Sequence, residues 1–149
     1  MYDLIIIGAG PIGMTCAIEA KRAGLDALII DKGMLVNTLF HFPTNMTFFS
    51  TSLLLEIGDV PFVSHDEKPT RRESLEYYRR VYESWKLNTH FYEEVLDVKK
   101  EGQRFKVSTT KETYHSKAVV VATGFYDLPV MMNVPGEELP KVMHYYDEP

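Results

Sequence analysis

The sequence predicts an α/β fold with a central parallel sheet, and three features carry this prediction. A β-branched apolar run at residues 2–7 leads directly into a glycine-rich segment at residues 8–13. A helical pattern over residues 11–24 then leads into a second apolar run at residues 27–30. A third run, at residues 118–122, is also followed by glycine. Short apolar runs bounded by glycine are typical of strands buried on both faces.

The first predicted helix presents its small residues on one face. Pro11 suits a first helical position, and Gly13, Ala17, Ala20 and Gly24 follow at spacings of four, three and four. Residues at this spacing share one side of a helix. We therefore expect this helix to pack closely against the sheet.

The next part of the chain is an irregular aromatic stretch followed by a second helix. Residues 34–69 lack clear periodicity, and so long an irregular segment in a compact domain is usually either functional or contains elements that the pattern fails to show. Thr70 and Glu73 form a capping-box pattern that begins a helix over residues 71–86. We expect Leu75, Tyr78, Tyr82 and Trp85 to form one face of this helix, and Arg71, Arg72, Arg79 and Arg80 to bind phosphate or to lie on a solvated face.

Short strands then replace helices. The pattern predicts an antiparallel meander at residues 96–99, 104–109 and 113–116, preceded by a short strand at residues 90–92. A separate buried strand at residues 118–122 follows the meander. Pro129, Pro135, Gly136, Pro140 and Pro149 then argue against further regular structure.

Composition narrows the class of protein. The chain has 149 residues, 45% of them hydrophobic, and this length suits one domain. A net charge of −5 argues against binding to nucleic acid or to an anionic membrane surface. The single cysteine excludes a disulfide framework, a Cys-rich zinc site and a Cys-x-x-Cys pair, and no metal site is predicted. The apolar stretch at residues 4–18 is broken by glycines and lacks a basic start, so we expect a cytoplasmic chain.

The chemical signal is the glycine-rich segment Gly8-Ala9-Gly10-Pro11-Ile12-Gly13. In a G-x-G-x-x-G turn, Gly8 permits the tight turn, Gly10 lets a pyrophosphate approach the backbone, and Gly13 allows close packing of helix on strand. Asp31, at the end of the second predicted strand, is placed either to accept a hydrogen bond from a ribose hydroxyl or to cap that strand. Together these features predict a dinucleotide site.

Two features favour FAD over NAD as the dinucleotide. The second strand leads into the aromatic stretch rather than into another short strand–helix unit. Ala122-Thr123-Gly124 also follows the meander, where small residues let the chain pass close to a dinucleotide.

These motifs resemble the flavoprotein disulfide reductases of thioredoxin-reductase type. Further segments resemble the bacillithiol-disulfide-reductase branch of that family, and they are residues 36–38, 42–44, 47–50, 57–62, 68–69 and 139–142. The resemblance implies a Rossmann-like FAD-binding domain with three β/β/α layers: a meander, a central parallel sheet, and helices on its other face. Members of the family bind FAD and NADPH and are about twice as long, so we expect an FAD-binding part at residues 1–126, incomplete at its C-terminus. Residues 127–149 would then form a connector towards an NADPH-binding domain, which this fragment would lack.

The resemblance also assigns residues. It implies that Gly8, Gly10, Pro11, Ile12 and Gly13 hold the FAD pyrophosphate, and that Asp31 and Lys32 meet the adenosine ribose. Residues 37–47, with Asn37, His41 and Thr47 among them, would run beside the flavin half. Val95 would offer backbone groups to adenine, and Ala122, Thr123 and Gly124 would close over the cofactor. Without the resemblance, His41 is a lone histidine in an aromatic stretch, and such a residue is more often structural than functional.

One position departs from the family. Members proposed to reduce bacillithiol disulfide carry a cysteine directly after the G-x-G-P proline, where this chain has Ile12. Cys16, four residues later, adjoins the small-residue face and is expected to be buried as a small hydrophobe. Disulfide chemistry through a thiol of this chain is therefore not expected, and the catalytic residues stay unassigned.

Several functions follow from the sequence. The first is an FAD-dependent, NADPH-oxidising reductase of a low-molecular-weight disulfide or another small electron acceptor, which could form a homo-oligomer at full length. The second is a flavin-dependent monooxygenase or oxidase, since residues 43–50 also resemble that group. A non-catalytic dinucleotide-binding or redox-sensing module is the third, and an NAD-only dehydrogenase ranks last. The isolated chain, with no second G-x-G-x-x-G, is expected to be inactive.

Overall fold

The computed structural model describes residues 1–146 and places a six-stranded sheet at their centre. The strands are β1 (Tyr2–Ile7), β2 (Ala27–Ile30), β3 (Thr89–His90), β4 (Val95–Glu101), β5 (Arg104–Thr109) and β6 (Thr113–Val121). The helices are α1 (Pro11–Arg22), α2 (Asn37–Phe40), α3 (Ser52–Leu55) and α4 (Arg71–Trp85). The strand order is β3-β2-β1-β6-β5-β4. Pro149 and its two predecessors, at the end of the expected connector, lie outside the described residues.

The first strand–helix–strand unit confirms the sequence prediction. Strand β1 pairs in parallel with β2 on one side and with β6 on the other, so that Ile5 lies between Leu28 and Val119. In α1 the buried small residues are Gly13, Ala17 and Ala20, as the spacing predicted. The helix ends two residues earlier than expected, because Gly24 adopts a positive φ of 71° after it.

The predicted break between the meander and the last parallel strand is wrong. Residues 113–121 form one continuous strand, β6, which pairs with β5 at its start and with β1 further along. Lys117, the polar residue at the supposed break, is exposed and places its Nζ 2.6 Å from Asp3 Oδ1. A charged residue is tolerated there because its side chain points away from the core. The meander is therefore hydrogen-bonded to the parallel sheet. The short strand before it covers Thr89–His90 rather than residues 90–92.

Side chains that alternate along the strands form two hydrophobic cores, one on each face of the sheet. The fold therefore has three layers. Ile6 and Ile29 pack with helices α1 and α4 on one face of the sheet. Ile5, Leu28 and Ile30 face the other way and pack with Val107 and Tyr114 of the meander. Successive side chains of a strand point to opposite faces, so each strand serves both cores. The arrangement has the layers that the sequence predicted.

Helix α4 anchors the irregular aromatic segment. Its capping box is present, with Glu73 N–H donating to Thr70 and the Glu73 carboxylate accepting from Thr70 N–H at 2.8 Å. The fully buried residues are Ser74, Tyr77, Tyr78 and Val81, whereas the expected Leu75, Tyr82 and Trp85 are only partly buried. The buried face of α4 is therefore rotated relative to the predicted face, because residues 57–62 cover Tyr77. The Tyr77 hydroxyl donates to Val60 O at 2.9 Å, and its ring stacks on Phe62 at 4.1 Å.

Arg71 and Arg79 of α4 have structural partners. Arg71 donates to the carbonyl of Leu39 at 3.1 Å and to that of Phe40, which ties α4 to α2. Arg79 pairs with Glu76 and Glu83 along the helix surface. These contacts favour the solvated face over the phosphate-binding alternative. Across residues 1–146, no helix has the length and apolar character needed to cross a membrane.

Candidate dinucleotide-binding site

The glycine-rich turn joins β1 to α1 under tight steric limits. Gly8 has a φ of 112°, and its N–H donates to Ile30 O at 2.8 Å. A Cβ at Gly8 would fall far inside van der Waals contact with the carbonyl of Ala122. A Cβ at Gly13 would overlap the carbonyl of Gly8 in the same way. Both positions therefore require glycine for packing.

Gly10 differs from its two neighbouring glycines. It is the N-cap of α1, with an extended backbone at φ −77° and ψ 179°. A Cβ built on Gly10 would have no atom within 4 Å, so it would point into open space. The first turn of α1 has no acidic side chain and no side-chain cap. Pro11 has no N–H and Met14 N–H donates to Gly10 O at 2.9 Å, which leaves the N–H groups of Ile12 and Gly13 without an intrahelical partner. These groups and the positive end of the helix dipole are suited to an anion.

Asp31 connects the end of β2 to the glycine-rich turn. Its Oδ2 accepts from Ala9 N–H at 2.6 Å, and its Oδ1 accepts from Gly33 N–H at 2.7 Å. The strand-capping role weighed from the sequence is therefore present. Each carboxylate oxygen has a second lone pair, so the same group can still accept a ribose hydroxyl.

Two adjoining cavities lie along the carboxyl ends of β1, β2 and β6. The smaller measures about 190 Å³. The larger, more open one measures about 1170 Å³ and lies among the aromatic segment and residues 123–130. Lys32, Thr123 and Asp127 line both cavities. Ligands of open α/β sheets bind at this end of the strands.

The predicted site residues divide between these cavities and their surroundings. The smaller cavity is lined by Gly8, Asp31, Lys32, Asn37, Val95 and Thr123, and Gly124 lines the larger one. Outside both linings lie Gly10, Pro11, Ile12, Gly13, His41, Thr47 and Ala122. Of these, the exposed His41 turns its Nδ1 to Asn37 O at 2.8 Å, and Thr47 bridges to Thr70. Neither side chain reaches the cavities.

Three acidic residues of the smaller cavity were missed by the sequence analysis: Glu93, Glu94 and Asp127. No motif marks them, because they lie in a loop and beyond the last strand. Asp127 forms an ion pair with Lys32. The hydrogen bond to Asp127 raises the pKa of the Lys32 ammonium above its ordinary value. The segment after β6 is also held by the Tyr126 hydroxyl, which donates to His41 O at 3.2 Å.

Asp31→Asn is expected to lower the free energy of unfolding by about 1.5–3 kcal/mol, the range for losing a hydrogen bond to a charged group. The amide would keep one acceptor and place its NH₂ against the other backbone N–H. Urea unfolding of the apoprotein measures this loss. Asp26→Asn is the matched control, because Asp26 is exposed. Equal stability of both variants would contradict the bridging role of Asp31.

The glycine-rich turn, the carboxylate after β2 and the cavities at the strand ends define an α/β dinucleotide-binding domain. The chain matches the family model described as pyridine nucleotide-disulphide oxidoreductase over residues 5–149. It therefore belongs to that family.

Two similar proteins belong to the branch that the sequence motifs indicated. Bacilliredoxin reductase Bdr of Bacillus subtilis is 48% identical over 145 residues, which cover 97% of this chain and 45% of that protein. The structure of bacillithiol disulfide reductase Bdr (YpdA) from Staphylococcus aureus is 46% identical, with a TM-score of 0.96 over 99% of this chain and 46% of that one. The family prediction is confirmed. The chain spans less than half the length of these relatives.

The fold is also shared with a flavin-containing monooxygenase from Stenotrophomonas maltophilia. That structure has a TM-score of 0.82 at 24% identity, over 87% of this chain and 40% of that one. Identity this low shows the common fold alone, so the monooxygenase alternative gains no functional support from it.

Proposed function

We propose that the chain binds FAD and forms the FAD-binding part of an NAD(P)H-dependent flavoprotein oxidoreductase. The single observation that carries this proposal is the contrast among the three glycines. Gly8 and Gly13 are demanded by packing, whereas Gly10 leaves open space at the helix N-terminus, where an anionic ligand could approach the backbone.

The residues present fit a flavin dinucleotide. Open space at Gly10 and the N–H groups of Ile12 and Gly13 at the helix start match a diphosphate. The smaller cavity, with Asp31 and the start of β4 at Val95, is suited to an adenosine half. The larger cavity is bordered by Phe42, Pro43 and Thr123 and has room for a ring system. An elongated cofactor would thus span both cavities.

Each element of the chain would have a defined task. The first turn of α1 would bind the diphosphate charge, and Gly8 and Gly13 would keep that turn close to the sheet. Asp31 would accept a ribose hydroxyl while it fixes the turn through Ala9 N–H. The aromatic segment would exclude water from the flavin half. The chemistry that bound FAD would supply is hydride uptake from the nicotinamide and electron transfer to the acceptor.

The electron acceptor would be a low-molecular-weight disulfide or a similar small molecule. The names of the bacillithiol disulfide reductase relatives support this class of acceptor. A thiol of this chain at the helix start would not take part, because Ile12 stands there, 68% exposed. Cys16 is partly buried and packs against the helix-side core. The nicotinamide nucleotide, NADPH or NADH, would be bound by another part of the protein.

An anaerobic titration of the flavin-loaded, full-length protein tests this function. We expect NADPH to bleach the flavin absorbance and a small disulfide to restore it, in equal amounts. A flavin that stays oxidised in both NADPH and NADH would contradict the reductase. Reoxidation only by oxygen, with hydroxylation of an added substrate, would instead favour the monooxygenase.

A further inference from the structure

A carboxylate outside every motif is almost fully buried beside the smaller cavity. Glu93 is 2% exposed, and its Oε1 accepts from the Thr109 hydroxyl at 2.5 Å and from the Tyr114 hydroxyl at 2.9 Å. Its Oε2 lies 3.3 Å from Nδ1 of His90, and the same nitrogen lies 2.9 Å from the Tyr114 oxygen. Glutamate is rarely buried unless it is paired. The group therefore calls for an explanation.

The network keeps Glu93 ionised. Burial by itself raises the pKa of this carboxyl, but the hydrogen bonds from Thr109 and Tyr114 outweigh burial and hold it below its ordinary value. Tyr114 responds in the opposite direction, since burial and the neighbouring carboxylate raise the pKa of its hydroxyl. Tyr114 therefore stays a hydrogen-bond donor to a charged acceptor, which is a strong arrangement.

The backbone around Glu93 joins β2 to the meander. Glu93 N–H donates to Asp31 O at 2.9 Å, so the buried residue also holds the backbone of the ribose-facing aspartate. One residue earlier, Tyr92 N–H donates to Gly33 O at 3.1 Å. One residue later, Glu94 exchanges hydrogen bonds with Thr110, through its N–H at 3.1 Å and its carbonyl at 2.9 Å. Val95 follows directly and begins β4.

Residues 91–94 form no helix or strand of their own, so hydrogen bonds to neighbouring elements hold them in place. This segment lies between the two-residue strand β3 and the register shift in β4 between Val95 and Asp97. Tyr92 has a positive φ of 52°, which is unfavourable for a residue with a side chain. The buried carboxylate is thus a side-chain anchor between the end of β2 and the meander strands, and the side chains of Thr110 and Lys111 add bonds to Glu94 N–H and Phe91 O.

We infer that Glu93 is a positioning residue that fixes Asp31 and Val95 at the mutual distance an adenosine half requires. The inference rests on the proposed FAD site and names how its adenosine end is built. Glu93 acts through the backbone and through Tyr114 and Thr109, and its carboxylate does not need to touch the ligand. A supporting residue of this kind sets how well a site is preorganised.

Glu93→Gln tests the inference with the least change of shape. The amide oxygen can still accept from both hydroxyls, but an NH₂ group would replace the carboxylate oxygen that faces Nδ1 of His90. We expect the Kd for FAD and the Ki for ADP, measured by displacement of FAD, to rise about tenfold, comparable to one hydrogen bond to a charged group. The Ki for inorganic pyrophosphate, which needs only the glycine-rich turn, should stay within about twofold of wild type. Tyr114→Phe should also raise the Ki for ADP, but by a smaller factor.

Glu112→Gln is the matched control, because it removes one negative charge from an exposed position in the turn between β5 and β6. It should leave all three constants unchanged. If Glu93→Gln raises the Ki for ADP and the Ki for pyrophosphate equally, or raises neither, the positioning role is wrong, and the proposed FAD binding is not affected. A wild-type protein that binds neither FAD nor ADP would overturn the proposed function itself.

Discussion

Gly10→Ala is expected to raise the Kd for FAD by about 100-fold or more while the protein stays folded. The substitution adds one methyl group at the N-cap of α1. That methyl group would point into the open space that the proposed diphosphate occupies. Backbone N–H groups hold an anion at about 2.7–2.9 Å, and a methyl group in that path keeps the anion away from them.

The same substitution has little reason to disturb the fold. The φ of −77° and ψ of 179° at Gly10 are accessible to alanine without strain. Replacing a favoured N-cap residue by alanine costs about 0.5–2 kcal/mol, typically about 1, and glycine ranks below Asn, Asp and Ser at this position. The free energy of unfolding of the apoprotein should therefore fall by no more than about 1 kcal/mol. Flavin fluorescence quenching and urea unfolding measure the two quantities on one preparation.

Gly24→Ala is the control for Gly10→Ala. Gly24 lies beyond the other end of α1 with a φ of 71°, so alanine there should cost about 1 kcal/mol of stability. A Cβ at Gly24 would also meet open space, but far from the cavities. FAD affinity should be unchanged in this variant. If Gly10→Ala binds FAD as tightly as Gly24→Ala, the diphosphate does not lie at Gly10 and the proposed site is wrong.

Local patterns made the first third of the fold predictable. The glycine-rich turn, Pro11 and the strand at residues 27–30 each act over a few neighbours, and the structure places them as expected. Thr70 and Glu73 predicted the start of α4 for the same reason. In each case the contacts that fix the conformation of the residue lie within about one helical turn of it along the chain.

The remaining differences come from contacts between residues distant in sequence. Lys117 suggested a strand end, and only its pairing with Asp3 shows why β6 continues through it. The buried face of α4 rotated because residues 57–62 cover Tyr77. Glu93 carried no signal at all, since an acidic residue in a loop is usually exposed. Its partners at residues 90, 109 and 114 meet only through the sheet.

Gly13→Ala is expected to be strongly destabilising, and far more so than Gly10→Ala. Its Cβ would overlap the carbonyl of Gly8 and lie 3.4 Å from Ile6 Cγ2. The first neighbour is backbone at the end of β1, where Gly8 itself is fixed by its N–H bond to Ile30 O and by Ala122 beside it. Neither the strand nor the helix can yield alone, so α1 must lift from the sheet and uncover Ile6, Met14 and Ala17.

Overpacking of a close contact costs about 1–3 kcal/mol and more where backbone must move, so a loss of at least about 3 kcal/mol is expected for Gly13→Ala. Many domains have only about 5–15 kcal/mol of stability, so the urea midpoint of this variant should fall far below that of wild type. Gly10→Ala provides the comparison, with the same added methyl group three positions earlier in open space. A Gly13→Ala protein as stable as Gly10→Ala would show that α1 does not approach β1 this closely. FAD affinity should fall in both variants. In Gly13→Ala it falls because the fold is disturbed, whereas in Gly10→Ala it falls because the methyl group blocks the ligand.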